Sequence, residues 1–167
     1  FDGDGGSTTY EYSTDGGSTY QSIGSPASWD TTGLADGTTK IRVTDTDDVG
    51  NSVQKTVDVT GDNTAPSAPT RVSASPRAGG DIEVSFDDAD DAAGGSGVQS
   101  YNVLRSTSSG SGYTQIDTVT DDGSASFTYT DASGDDSTTS GGTTYYYVVE
   151  AVDGAGQTVG STKGDVQ

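Results

Sequence analysis

The chain has 167 residues, 26 Asp+Glu against 7 Lys+Arg, a formal net charge of -19 at pH 7, and no His, Cys or Met. Without imidazole or thiol, cysteine nucleophiles, histidine acid–base catalysis and N/S zinc sites are excluded. A charge this negative opposes nucleic acid, whose phosphates must be met by Lys and Arg.

Alternation of apolar and polar residues runs through the chain, and apolar residues nowhere recur at helical spacing, so an all-β protein is predicted. Tyr10–Ser13 and Thr19–Ile23 read as strands joined by the turn Thr14-Asp15-Gly16-Gly17-Ser18, whose glycines supply the positive φ of a hairpin. Trp29 and Leu34 follow as expected core plugs. A second hairpin is predicted from Lys40–Thr44 and Ser52–Val59, turning through Asp45 to Asn51. The segment Asp62-Asn63-Thr64-Ala65-Pro66-Ser67-Ala68-Pro69 breaks the pattern, because two prolines remove ladder donors and stiffen the chain. The expected division is therefore a domain over 1–62, a linker over 63–70 and a domain over 71–167. Seven short strands are predicted in the second domain: Arg71–Ser75, Ile82–Phe86, Val98–Arg105, Tyr113–Val119, Phe127–Tyr129, Thr143–Val152 and one after Gln157. That number suits a β-sandwich. The longest apolar run, Tyr145–Val149, is far shorter than the 20 or so residues of a spanning helix, so no membrane insertion is expected. No signal peptide is present and the chain starts at Phe1 without Met, so it reads as a mature piece or excerpt of something longer.

From Pro66 onward the sequence resembles a fibronectin type III domain. The matching pieces are Pro66-Ser67-Ala68-Pro69, then Gly94–Val98 ahead of Tyr101-Asn102-Val103-Leu104-Arg105-Ser106, and the run from Gly142 to Asp153. The resemblance points Tyr145, Tyr147, Val149 and Ala151 inward, with Tyr145 near the tyrosine-corner position, and puts Phe86 where the family usually has Trp. The loop Asp131–Gly142 is longer and more polar than the family's usual turn. Residues 1–62 resemble the later part of a bacterial-type Ig-like domain, through Ser28–Gly37 and Asp45–Ser52. Together these imply two tandem Ig-like/fibronectin type III β-sandwiches, the first lacking its N-terminal strands. An incomplete sandwich exposes a sheet edge and half a core, and either more of the same polypeptide or another chain must complete it.

The acids are nearly all Asp, since only Glu11, Glu83 and Glu150 are glutamate, and the lysines are Lys40, Lys55 and Lys163 alone. This composition is similar to that of extreme halophiles, of the haloarchaeal type. Self-repulsion of such a surface reaches about 10 Å at 0.1 M salt and about 3 Å at 1 M.

Asp clusters are the site material. They comprise Asp2 and Asp4; Asp45, Asp47 and Asp48 with Asn51; Asp62 and Asn63; Asp87, Asp88, Asp90 and Asp91; Asp135 and Asp136; and Asp153. Calcium takes oxygen ligands of this kind, but the EF-hand spacing fails, with Val49 and Thr56 at the fifth and twelfth places counted from Asp45. The plainer reading is a solvated acidic surface. If calcium binds, its expected place is the domain junction, on Asp45, Asp47, Asp48, Asp62, Asn63 and Asp153, and no cofactor is required. Glycosidase chemistry needs a sheltered carboxylate pair, which loop acids do not offer, and no phosphate-binding or nucleophile-elbow motif is present. Asn51, Asn63 and Asn102 all lack the N-glycosylation sequon. The expectation is a non-enzymatic, extracellular structural or adhesive module of a cell-surface or filament-forming protein of a halophile or its virus. Its expected partners are other copies, other modules of the same chain, and cell-surface glycans or proteins. The rival is a spacer pair from a secreted polysaccharide-degrading enzyme.

Overall fold

The computed structural model describes residues 6–24, 28–132, 143–161 and 164–166. Among them there are twelve β-strands and no helix long and apolar enough to cross a membrane. The chain divides into two compact units, one of residues 1–63 with 93–95, the other of residues 64–92 with 96–167.

The first unit is one four-stranded antiparallel sheet of β1 (Ser7–Ser13), β2 (Gln21–Ser22), β3 (Gly37–Thr46) and β4 (Ser52–Gly61), in the order β2-β1-β3-β4. Both predicted hairpins are present, and the second is longer than the alternation implied. Its register places Tyr12, Ile41 and Val57 side by side, and Tyr10 beside Val43. Because side chains alternate across a sheet, these residues share one face with Val53 and Val59. The other face carries the ion pairs Arg42–Glu11 at 2.8 Å and Lys40–Asp58 at 2.7 Å. Trp29 packs on Tyr12 with ring centroids 4.7 Å apart, yet neither Trp29 nor Leu34 is buried. The two expected plugs cover the apolar face only in part, because among the described residues no second sheet stands behind them in this unit.

The second unit is a sandwich. One sheet is β5 (Thr70–Pro76), β6 (Ile82–Asp87) and β9 (Ser126–Asp131), in the order β5-β6-β9. The other runs β11-β10-β7-β8, from β7 (Val98–Ser106), β8 (Thr114–Thr120), β10 (Tyr145–Asp153) and β11 (Thr158–Gly160), with β12 (Gly164–Val166) also paired to β10. The expected last strand is thus two short pieces, which meet β10 at Glu150–Val152 and at Tyr145–Tyr147. Ile82, Val84 and Phe86 alternate inward on β6, Tyr101 and Val103 on β7, and Tyr147, Val149 and Ala151 on β10. This is period-two burial between two faces. Phe86, Tyr101 and Phe127 meet with centroids 4.9 to 5.5 Å apart, so Phe86 does fill the place expected of the large aromatic. Pro66 and Pro69 are buried, and Ser67 is tied to Asp90 by bonds of 2.7 and 2.8 Å.

Two buried polar groups anchor the sandwich. Asp131, 1% exposed, accepts from Arg105 Nη1 at 2.6 Å and from the Tyr147 hydroxyl at 2.9 Å. Tyr145, partly buried, lies under the Arg105 guanidinium, and the fully buried phenol of this strand is that of Tyr147. The Tyr101 hydroxyl donates to Asp88 and accepts from Ala89 N. Burial, reinforced by these carboxylate partners, pushes both phenols well above the ordinary tyrosine range.

Candidate functional site

Five of the six residues expected to hold calcium lie in the first unit and Asp153 in the second. Asp45, on β3, accepts from the Thr8 hydroxyl at 2.9 Å. Asp47 is consumed by its own turn: Oδ1 accepts from Val49 N at 3.1 Å and Asn51 N at 2.7 Å, and Oδ2 from Asn51 Nδ2 at 2.8 Å. These bonds hold its carboxyl below the usual range, the Asn51 side chain contributing most. Asp48 is exposed in the same turn. Asn63 closes the first unit: its N–H donates to Asp36 at 2.6 Å, and its amide donates to the carbonyls of Thr31 and Leu34 at 2.9 and 3.1 Å. Asp62 follows the end of β4 and is half-buried. Asp2, Asp4, Asp135 and Asp136, and most of the loop 131–142, lie outside the described residues.

The Asp47 pattern gives some of the aspartates a structural role. In short turns an aspartate accepts backbone N–H groups two and four residues on, which stabilises the reversal without any ligand. Asp15 holds its turn through Thr19 four residues on, whose hydroxyl and N–H donate to it at 2.6 and 2.9 Å and push its carboxyl well below the usual range.

Asp153, at the end of β10, is different. It is 2% exposed; Oδ1 accepts from Ala155 N at 2.9 Å and Gln157 N at 2.8 Å, while Oδ2 is buried without a hydrogen-bond partner. Asp91, half-buried in the β6–β7 loop, accepts from Ala92 N and Gly97 N, each at 2.7 Å. Carboxylate oxygens of Asp91 and Asp153 lie within 4.8 Å of each other. Sequence clustering found the Asp87–Asp91 group and Asp153. The orphaned oxygen is a tertiary fact that no spacing rule would find.

The first unit offers a surface. Its sheet buries no hydrophobic side chain among the described residues, and Val53, Val57 and Val59 on edge strand β4 are 68%, 53% and 42% exposed. A small hollow of about 130 Å³ lies at the end of this face, lined by Trp29, Leu34, Thr39, Val59 and Asn63.

A three-stranded sheet packed on a larger one, both antiparallel, makes the second unit an immunoglobulin-like β-sandwich. An Fn3-like protein of Clostridium thermocellum is 36% identical to this chain, over 62% of this chain and 94% of that one, with a TM-score of 0.45. On that identity and coverage the chain belongs to the Fn3-like family. The FN1–FN3 domains of chicken CNTN1 share the fold at 15% identity and a TM-score of 0.54, covering 98% of this chain; this chain spans 56% of theirs. No protein-family profile matches the chain, and no curated protein does.

Proposed function

We propose that the chain is a pair of non-enzymatic, extracellular structural or adhesive modules of a longer surface or filament-forming protein, working in strong salt. The first unit is the later half of an Ig-like sandwich, completed by strands from a second copy that add to β4 and cover its apolar face. The observation that carries this reading is the exposure of Val53, Val57 and Val59 on a ten-residue edge strand. Fully burying one such valine is worth about 1.5 to 3 kcal/mol, so covering three of them is a substantial drive to pair. Edge strands left open in this way join other strands unless something blocks them. Lys55, between Val53 and Val57 on the same face, is such a partial block, and it selects a partner able to take its charge. The excess of short carboxylates fits a surface kept soluble in concentrated salt.

Electron microscopy and light scattering of the chain in molar salt test the reading. The expected result is end-to-end assembly that is abolished by Val57→Lys while the second unit keeps its own thermal transition. A strictly monomeric wild type at high concentration, or assembly indifferent to Val57→Lys, would refute strand addition.

A further inference from the structure

The turns that follow β3 and β10 share one design. In each, an aspartate accepts two backbone N–H groups on Oδ1: Val49 and Asn51 for Asp47, Ala155 and Gln157 for Asp153. A glycine with positive φ stands three residues after each aspartate, at Gly50 and Gly156. The turns differ at the second oxygen. Asn51 donates to Asp47 Oδ2, whereas Gln157 stands at the matching place and Asp153 Oδ2 receives no hydrogen bond. Asp47 sits at the surface and water serves it; Asp153 is 2% exposed. A buried carboxylate oxygen without a donor is destabilising, and a second carboxylate close by adds repulsion.

That second carboxylate is Asp91, with oxygens of the pair within 4.8 Å. The two loops that carry them are tied together. Gly154 N donates to Gly97 O at 3.0 Å, Ala155 N to Ser96 Oγ at 3.0 Å, and Gly97 N to Asp91 itself. No Arg or Lys among the described residues pairs with either acid, although Arg71, Arg77 and Arg105 of the same unit each pair with another carboxylate. The arrangement therefore has two negative groups on a preformed frame, one of them buried, and no positive charge between them.

We propose that Asp91 and Asp153 hold a divalent, oxygen-preferring cation of the calcium type at this end of the second unit. Calcium sits about 2.3 to 2.6 Å from its oxygens, so two ligands on opposite sides of it are up to about 5 Å apart, which matches the observed spacing. Asp91 keeps lone pairs beyond the N–H groups that it already accepts, Asp153 Oδ2 is wholly available, and water completes the shell. The ion gives the orphaned oxygen its partner and locks the β6–β7 loop to the β10–β11 turn.

The test is calorimetric titration of the full chain with calcium chloride in molar sodium chloride, with melting curves before and after chelation. The wild type is expected to show one saturable site, with a melting temperature that falls on chelation and recovers with calcium. Asp91→Asn and Asp153→Asn each weaken calcium binding by about tenfold or more, since each removes a charged ligand, and Asp47→Asn leaves it unchanged. Should Asp153→Asn fail to fold, Asp91→Asn, on a half-buried loop residue, gives the same reading. Absence of saturable heat in the wild type with melting unmoved by chelation overturns the proposal. So does binding that survives in both variants, which identifies diffuse attraction to the acidic surface.

Discussion

Replacing Tyr147 by phenylalanine isolates one interior bond of the second unit. The ring stays within a fully buried site, and only the hydroxyl that donates to Asp131 at 2.9 Å is lost. A hydrogen bond to a charged acceptor contributes about 1.5 to 3 kcal/mol. For a domain of this size each kcal/mol moves the melting temperature by about 4 to 8 °C, so Tyr147→Phe is expected to lower it by about 6 to 24 °C. Asp131→Ala is harsher, because it also removes the carboxylate that pairs with the Arg105 guanidinium, whose side chain is 22% exposed. Breaking a buried pair from one side costs about 3 to 5 kcal/mol; the water that still reaches Arg105 and the Tyr145 ring beneath it favour the lower part of that range. Urea unfolding of wild type, both single variants and the double variant closes a cycle. Since the bond from Tyr147 to Asp131 is already lost in Asp131→Ala, the double variant should be little less stable than Asp131→Ala alone. Additive losses, or a Tyr147→Phe change under about 0.5 kcal/mol, would refute the claim that these groups act as a unit.

The same phenols predict an alkaline limit. With pKa values raised by burial, Tyr101 and Tyr147 keep their protons in the folded state where the unfolded chain, at about 10, has begun to lose them. Their contribution is therefore whole below pH 10 and declines above it, so melting temperature should fall there, and less steeply in Tyr147→Phe. At the acid end Asp15 and Asp47 have lowered values, so the stability that they contribute is whole above about pH 4 and declines as pH falls from there toward their own lowered values. Melting temperature should therefore fall below about pH 4, less steeply in Asp47→Asn, and an unchanged difference between the two proteins down to about pH 2 would contradict it. Phe86→Ala, at the centre of the aromatic cluster, is expected to cost about 3 to 5 kcal/mol in urea titration. Gly154→Ala would set a Cβ 2.9 Å from that of Ser96, forcing the two loops apart at about 1 to 3 kcal/mol. Finally, the net charge of -19 predicts a melting temperature that climbs between dilute buffer and molar salt, and a flat profile would refute the charge argument.

Period-two alternation and turn chemistry were enough to place nearly every strand of the second unit, because inward Val, Ile and aromatic residues at every other position have one consistent solution in a sandwich. They also placed both hairpins of the first unit, while the inward side of Tyr147, Val149 and Ala151 came from the resemblance to fibronectin type III domains. Absence of His and Cys, with few cations, removed whole classes of chemistry without any coordinates. Alternation does not say whether an apolar face meets a partner. That Trp29 and Leu34 leave theirs half open, and that Val53 and Val57 stand in solvent, is decided by how many layers the chain brings together. Composition likewise made every aspartate equivalent. Only the folded chain separates Asp47, satisfied by its own turn, from Asp153, whose second oxygen is buried without a donor, because desolvation depends on neighbours far away in sequence.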